Sequence, residues 1–354
     1  MTGLRAFLKS RGGWPGQIWM LVWASMGGAV LAHFGVPGGW LSGAMIAIAL
    51  LATGDLGAPF SPIVRRVALT STGVAVGSAV TPQMMKGFGA YPLSIIIMMC
   101  GVGCVIYASA RVLERARGWD RMTALLASIP GALSYVFALA GTLKADMPRI
   151  AIVQVSRVFF LMALVPILVT EFSGPLALPP QGIVDSLPIL MAIFALSFAV
   201  GYGAERLGLA AGSLLGSMAV SALFHATGFA PGRLPLGLII GGQVLLGAWV
   251  GSRFLGFDWK LLRASLVLSL GSFAIGMVIS TAFAGLTTYA LGIPFAETMI
   301  AFAPGGLEAM TVLAFALGLD PLYVSAHHLA RFILISLALP FIVRIWQSAS
   351  GRAP

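Results

Sequence analysis

Long apolar runs dominate the chain, and its polar residues act mostly as punctuation. Runs that read as membrane-spanning helices lie near 17–34, 39–54, 64–81, 91–110 and 149–170, and again near 186–204, 209–226, 236–252, 265–285 and 321–344. Each is bounded by Gly, Pro or a small charged group, as expected of segments cut to a hydrocarbon core of about 30 Å. Two further apolar segments, 122–144 and 296–318, are interrupted by Ile129-Pro130-Gly131 and by Ala303-Pro304-Gly305-Gly306. Proline removes a backbone donor and glycine permits a sharp turn, so each segment is predicted as two short helices rather than one. A broken helix at membrane depth is tolerated only where its freed backbone groups face protein or water.

Composition places the whole chain in the membrane class. Of 354 residues, 59% are hydrophobic and 9% charged, against roughly 25% charged in a soluble domain, which leaves no room for a soluble domain. The net charge of +10 comes from 21 basic and 11 acidic residues. The basic ones sit mostly in short loops, so they read as orientation signals and no nucleic-acid partner is expected. Cys100 and Cys104 lie four apart in one apolar run. They form no disulfide framework, lack the further ligands of a metal site, and read as packing residues. Arg5, Lys9 and Arg11 precede a long apolar run with no small-residue cleavage pattern, which reads as an uncleaved first span. Trp14, Trp19 and Trp23 suit an interfacial aromatic belt.

A shift of 174 positions lays Pro130 on Pro304, Gly131 on Gly305, Leu133 on Leu307, Asp146 on Asp320, Arg157 on Arg331 and Pro166 on Pro340, without a gap. Upstream, Gly43, Met45 and Thr53-Gly54 match Gly216, Met218 and Thr227-Gly228, and Gly77-Ser78-Ala79-Val80 is laid on Gly247-Ala248-Trp249-Val250. The chain thus reads as a tandem duplication with membrane repeats over 14–172 and 184–346. If the broken segments return to the side they entered, five spans per repeat invert the second copy. Arg65, Arg66, Arg111, Arg115, Arg117, Arg121, Lys144, Arg149, Arg206, Arg253, Lys260, Arg263, Arg344 and Arg352 then join the N-terminal basic residues on the cytoplasmic side, and only Lys86 and Arg233 fall outside. The expected fold is an all-α polytopic membrane protein of two inverted repeats. It has about ten transmembrane helices plus two re-entrant or broken segments, and both termini are cytoplasmic.

Candidate chemistry follows from the few polar residues inside the apolar runs. Arg157 and Arg331 each lie eleven residues beyond the aspartate that opens their span, which at 1.5 Å per residue is near mid-membrane. Guanidinium groups there must face inward. Interrupted helices meeting at the midplane are a secondary-transporter construction. The expected substrate site is therefore Arg157 and Arg331 with the short-helix starts after Gly131 and after Gly305 and Gly306. Ser134, Gln154 and Gln243 are its further candidates. Glu308 with His327 or His328 would carry a coupling proton. Each assignment has a plainer alternative: Arg331 neutralising Glu308, the histidines bonding a freed carbonyl, Gln243 bridging helices. No metal, cofactor or enzymatic activity is expected.

The stretch PGGLEAMTVLAFALGLDPLYVSAHHLARF, its weaker copy PGALSYVFALAGTLKADMPRIAIVQVSRVF, and the upstream GSLLGSM and GGQVLLGAWVGSRF resemble the AbrB family of bacterial membrane proteins. Ala132 and Ser134 stand where the other copy has Gly306 and Glu308. The resemblance implies a duplicated domain in the bacterial cytoplasmic (inner) membrane. It also carries an ammonia monooxygenase label, but that chemistry needs copper or iron ligands and the chain has four histidines, only two of them close together. The family name is tied to control of gene expression as well, which a chain without a soluble DNA-reading module would exert indirectly. Two functions follow: transport of a small anionic or zwitterionic solute coupled to H+ or Na+, or membrane-embedded sensing without transport. The lipid bilayer is the expected surrounding and a homodimer a candidate assembly.

Overall fold

A computed structural model describes residues 13–54, 56–79, 91–131, 133–173, 184–209, 211–230, 232 and 234–348. Arg5, Lys9, Arg11, Lys86, Arg233 and Arg352, used in the loop-charge reading, and Ala132 lie outside the described residues, as does the side chain of Ser134. The described residues are helical, without a β-strand. In chain order the helices are α1 (Trp14–His33), α2 (Gly39–Thr53), α3 (Pro62–Ser78), α4 (Tyr91–Glu114), α5 (Arg121–Ser128), α6 (Leu133–Thr142) and α7 (Met147–Ser173). There follow α8 (Leu187–Arg206), α9 (Gly212–Ala226), α10 (Leu236–Gly251), α11 (Trp259–Leu291), α12 (Phe295–Phe302), α13 (Leu307–Ala316) and α14 (Pro321–Ser348). Both expected interruptions are present. Ile129 (ψ 121°) and Ala303 (ψ 138°) turn extended, as the steric demand of the following proline requires. At Gly131 the backbone enters the left-handed region (φ 84°), which a residue with a Cβ rarely adopts.

Six helices among the described residues are long and apolar enough to cross a membrane: α4, α7, α8, α10 with its following turn, α11 and α14. The other four expected spans are weaker. Helices α2 and α9 have 15 residues and α3 has 17, so each covers roughly 22 to 26 Å, short of a 30 Å core. Helix α1 has 20 residues, among them Gln17 and three tryptophans.

The contacts divide the chain into two compact units. The first comprises Met1–Phe88, Phe159–Trp259 and Glu308–Leu322; the second comprises Gly89–Val158, Lys260–Leu307 and Tyr323–Pro354.

In the first unit, glycines bring helix backbones together, the small-residue mode by which helices associate in lipid. A Cβ at Gly73 would come within 2.5 Å of the Leu214 carbonyl oxygen, and one at Gly77 within 2.6 Å of Ser221 Cβ, so α3 lies directly on α9. Reciprocally, Gly247 of α10 faces Leu41 and Ala44 of α2, and a Cβ at Gly251 would come within 2.5 Å of the Met45 carbonyl oxygen. The same reciprocity joins Gly27 to Gly43 and Gly201 to Gly216. Gly73 and Gly77 stand 174 positions before Gly247 and Gly251, and each pair meets the backbone of another helix. Buried hydroxyls complete the packing: Ser221 Oγ donates to the Val74 carbonyl (2.7 Å) and Ser42 Oγ to that of Met162 (2.6 Å).

In the second unit, α4 packs on α11 through Gly101, which sits against the Phe283 ring, and Ser109, which donates to the Ser272 carbonyl at 3.4 Å. Gly276 of α11 lies beside Pro304 and Val105, seating the second interruption on these two long helices. Asp120 caps α5 by accepting from the Thr123 N–H at 2.9 Å. Cys100 and Cys104 are exposed on α4 rather than packed, because the buried stripe of that helix runs through Ser94, Met98, Gly101, Val102 and Val105.

Large side chains at the close crossings should be destabilising. Gly73→Leu and Gly247→Leu are each expected to lower stability by about 1 to 3 kcal/mol or more through overpacking. Gly141→Ala, at a position with open space around it, should be neutral or slightly stabilising. Thermal unfolding in detergent compares the three.

Candidate functional site

The second unit places Arg157 and Arg331 at the two chain interruptions. Arg157 is 4% exposed and Arg331 1%, so neither charge reaches open solvent. Arg157 Nη2 donates to the Ile129 carbonyl at 3.0 Å and to Gln154 Oε1 at 2.9 Å, while Nη1 lies 3.5 and 3.4 Å from the carbonyls of Ala127 and Ser128. Arg331 Nη1 donates to the Ala303 carbonyl at 2.7 Å, and Nη2 to the Gly305 carbonyl and to His328 Nδ1. The physical reason is common to both. Proline stops α5 and α12, their last carbonyls lose the donors a continuing helix would supply, and a guanidinium provides several donors in one plane. The positive charge also sits at the negative end of each helix dipole.

The residue three before each arginine completes the arrangement. Gln154 Nε2 donates to the Leu126 carbonyl at 3.2 Å, and His328 Nε2 lies 3.1 Å from the Ile300 carbonyl. A carbonyl only accepts, so His328 carries its proton on Nε2 and offers the Nδ1 lone pair to Arg331. His328 is thereby a neutral bridge with both nitrogens engaged. Ile129 and Ala303, Leu126 and Ile300, and Gln154 and His328 are each 174 positions apart, the offset at which the two halves match.

The two interruptions also meet each other. A Cβ on Gly131 would stand 3.4 Å from the Gly305 carbonyl oxygen and 3.5 Å from Arg331 Nη2, and Arg157 donates to Ile129, two residues before that glycine. Two cations therefore share one buried region. Among the described residues no carboxylate pairs with either, and the Nε–H of each is buried without an acceptor. Most of the arginine donors hold helix ends, and the Nε–H groups are what remains. At Gly306 a Cβ would meet nothing within 4 Å.

His327 belongs to a separate chain of bonds. Its Nδ1 lies 2.8 Å from the Tyr323 carbonyl and must donate; its Nε2 accepts from Ser94 Oγ at 2.8 Å; Ser94 Oγ then accepts from the Tyr323 hydroxyl at 2.5 Å. Phe302 stacks on the ring at 6.1 Å. Ser94 and Tyr323 were not singled out by the sequence, since a serine near one helix start and a tyrosine near another carry no joint signal until the helices pack. Glu308 lies in the first unit, where its ion pair is with Arg253 at 3.8 Å, and Arg253 stands 4.2 Å over the Trp249 ring. The suggested Glu308–Arg331 pair is therefore replaced by Glu308–Arg253. Gln243 is half-buried on α10, also in the first unit, next to Gly242, which faces Ser71 and Thr72.

Residues 40–347 match the profile of the family described as "Transition state regulatory protein AbrB". The chain belongs to the AbrB family. Among AbrB-like proteins it is similar to "Uncharacterized protein YhjN" of Bacillus subtilis (strain 168), 26% identical over 367 residues covering 95% of this chain and 94% of that protein. It is also similar to "Putative regulator AbrB" of Escherichia coli (strain K12), 27% identical over 230 residues, 61% of this chain and 64% of the other. The profile takes in both interruptions and both arginines.

Because Gln154 does in one half what His328 does in the other, His328→Gln should preserve the bridge and change stability by less than about 1 kcal/mol. His328→Leu leaves the Ile300 carbonyl without its donor and should cost about 1 to 3 kcal/mol. The difference in melting temperature between the two variants checks the assignment.

Proposed function

We propose that this AbrB-family protein is a secondary transporter of a small anionic solute, a carboxylate or a zwitterion carrying one, bound where Arg157 and Arg331 meet the interrupted helices. The observation that carries the reading is the buried pair of guanidinium groups to which, among the described residues, no carboxylate pairs. Two helix C-termini contribute about half a negative charge each, which offsets roughly one of the two positive charges and leaves a region that favours an anion. Leaving buried charge uncompensated is expensive, and the two unpartnered Nε–H donors give a carboxylate something to bind.

On this reading α1, α2, α3 and α9 complete ten spans. The interrupted segments are re-entrant, the two halves are inverted copies in the bacterial cytoplasmic membrane, and both termini face the cytoplasm. The reciprocal glycine contacts and the arginine bonds repeated at one offset support the duplication. The proton- or sodium-coupling residue is assigned to none of Glu308, His327 and His328, whose bonds are already made. The printed names of the family and of its Escherichia coli relative favour a second reading, a membrane regulator that binds the same anion without moving it. No enzymatic step is proposed.

The test is thermal unfolding of the purified protein with a panel of small carboxylates, phosphate and sulfate, followed by flux of any binder in proteoliposomes. A ligand at 100 times its Kd adds about 2.7 kcal/mol. That shift is expected for a carboxylate, should be lost in Arg331→Gln, and should survive in Arg253→Gln. Binding without flux selects the regulator. A shift that is indifferent to both Arg157→Gln and Arg331→Gln removes the anion site.

A further inference from the structure

The first unit holds another buried ionisable pair that this reading does not use. Asp185 stands just before α8 and His225 lies in the last turn of α9; their side chains are 1% and 8% exposed, and His225 Nε2 is 3.5 Å from Asp185 Oδ2. Both facing atoms are buried and without a hydrogen-bond partner. The remaining atoms of the pair are fixed. Asp185 Oδ1 accepts from the Gly232 N–H at 2.7 Å, and His225 Nδ1 lies 2.7 Å from the Ser221 carbonyl. The Ser221 hydroxyl is engaged as a donor to Val74. A carbonyl cannot donate, so Nδ1 carries a hydrogen. In a neutral imidazole the single proton is then on Nδ1, and Nε2 would point a lone pair at a carboxylate oxygen. Two lone pairs face to face between buried atoms is an arrangement that a second proton relieves.

We infer that Asp185 and His225 form a proton-binding site, in which a proton on Nε2 of His225 is held against Oδ2 of Asp185. The bound proton fastens the start of α8 and the Gly232 segment to the end of α9. Gly232 is part of the fastening, because a Cβ there would come within 2.6 Å of Asp185 Oδ1.

Among the described residues, the charged groups of the surrounding elements lie elsewhere. On α3 these are Arg65 and Arg66, and on α8 Glu205 and Arg206; Glu205 pairs with Arg65 and Arg66 at the far ends of those helices. Helix α13, whose Phe315 packs on the neighbouring apolar cluster of Val74, Leu190 and Ala230, has Glu308 in its first turn, paired with Arg253. Helix α10, whose Ile239 packs on the same cluster, carries no ionisable side chain, and Arg233 and Lys86 lie outside the described residues. The site stands independently of the anion reading and of whether the protein transports.

The chain has four histidines, which makes selective 15N-histidine labelling tractable. In the full-length protein in detergent near neutral pH, one ring is expected to show both nitrogens protonated. That signal should be absent in His225→Gln and should lose its Nε2 proton in Asp185→Asn. The wild-type spectrum decides the matter even if a variant fails to fold: a His225 ring with an unprotonated Nε2 overturns the proposal, as does a doubly protonated ring that persists in Asp185→Asn.

Discussion

The second unit is organised around arginine side chains donating to carbonyls where a proline has cut a helix short. In water such carbonyls would be solvated at little cost. Inside an apolar chain each would forfeit a hydrogen bond in surroundings that offer no substitute. Arg331 reaches the carbonyls of Ala303 and Gly305 with separate nitrogens, a geometry that suits a planar fork and does not suit the point charge of a lysine. The interruption and the buried cation therefore require each other. Once two such interruptions are brought side by side, as Gly131 against Gly305 brings them, their charges add, and electrostatics rather than shape gives the region its character.

Much of this was legible in the chain itself, for identifiable reasons. The helix positions followed from apolar runs, and the interruptions from Ile-Pro-Gly and Ala-Pro-Gly, since backbone sterics act locally. That Arg157 and Arg331 must face inward followed from the cost of a charge turned to lipid, and both are buried. What escaped were relations between elements. Glu308 looked available to Arg331 because both lie in one motif, yet its ion pair is with Arg253 of a different helix. His328 looked titratable because histidine usually is, whereas its two nitrogens are committed to a carbonyl and a guanidinium. Cys100 and Cys104 looked like core because apolar runs in lipid have no polar face to reveal which side is outward.

Family membership joins a chain rich in membrane-compatible helices to a regulatory name. On the proposed reading the two are reconcilable through a ligand: the buried, positively charged region would recognise a small anion, whether the result is movement of that anion or a change passed to a partner. The asymmetry between the halves bears on this. Gln154 and His328 support their arginines in equivalent positions with different chemistry, so the two cations, though related in place, are not identical in surroundings.

The glycine contacts of the first unit carry a consequence for how such chains can change in length. One residue inserted between Gly73 and Gly77 would rotate everything after it by about 100° around the helix axis. A valine would then stand where α3 needs bare backbone against α9. Insertions and deletions are thus barred from these helices and confined to the connections, such as 34–38 and 207–211, where a change of length leaves both faces in phase.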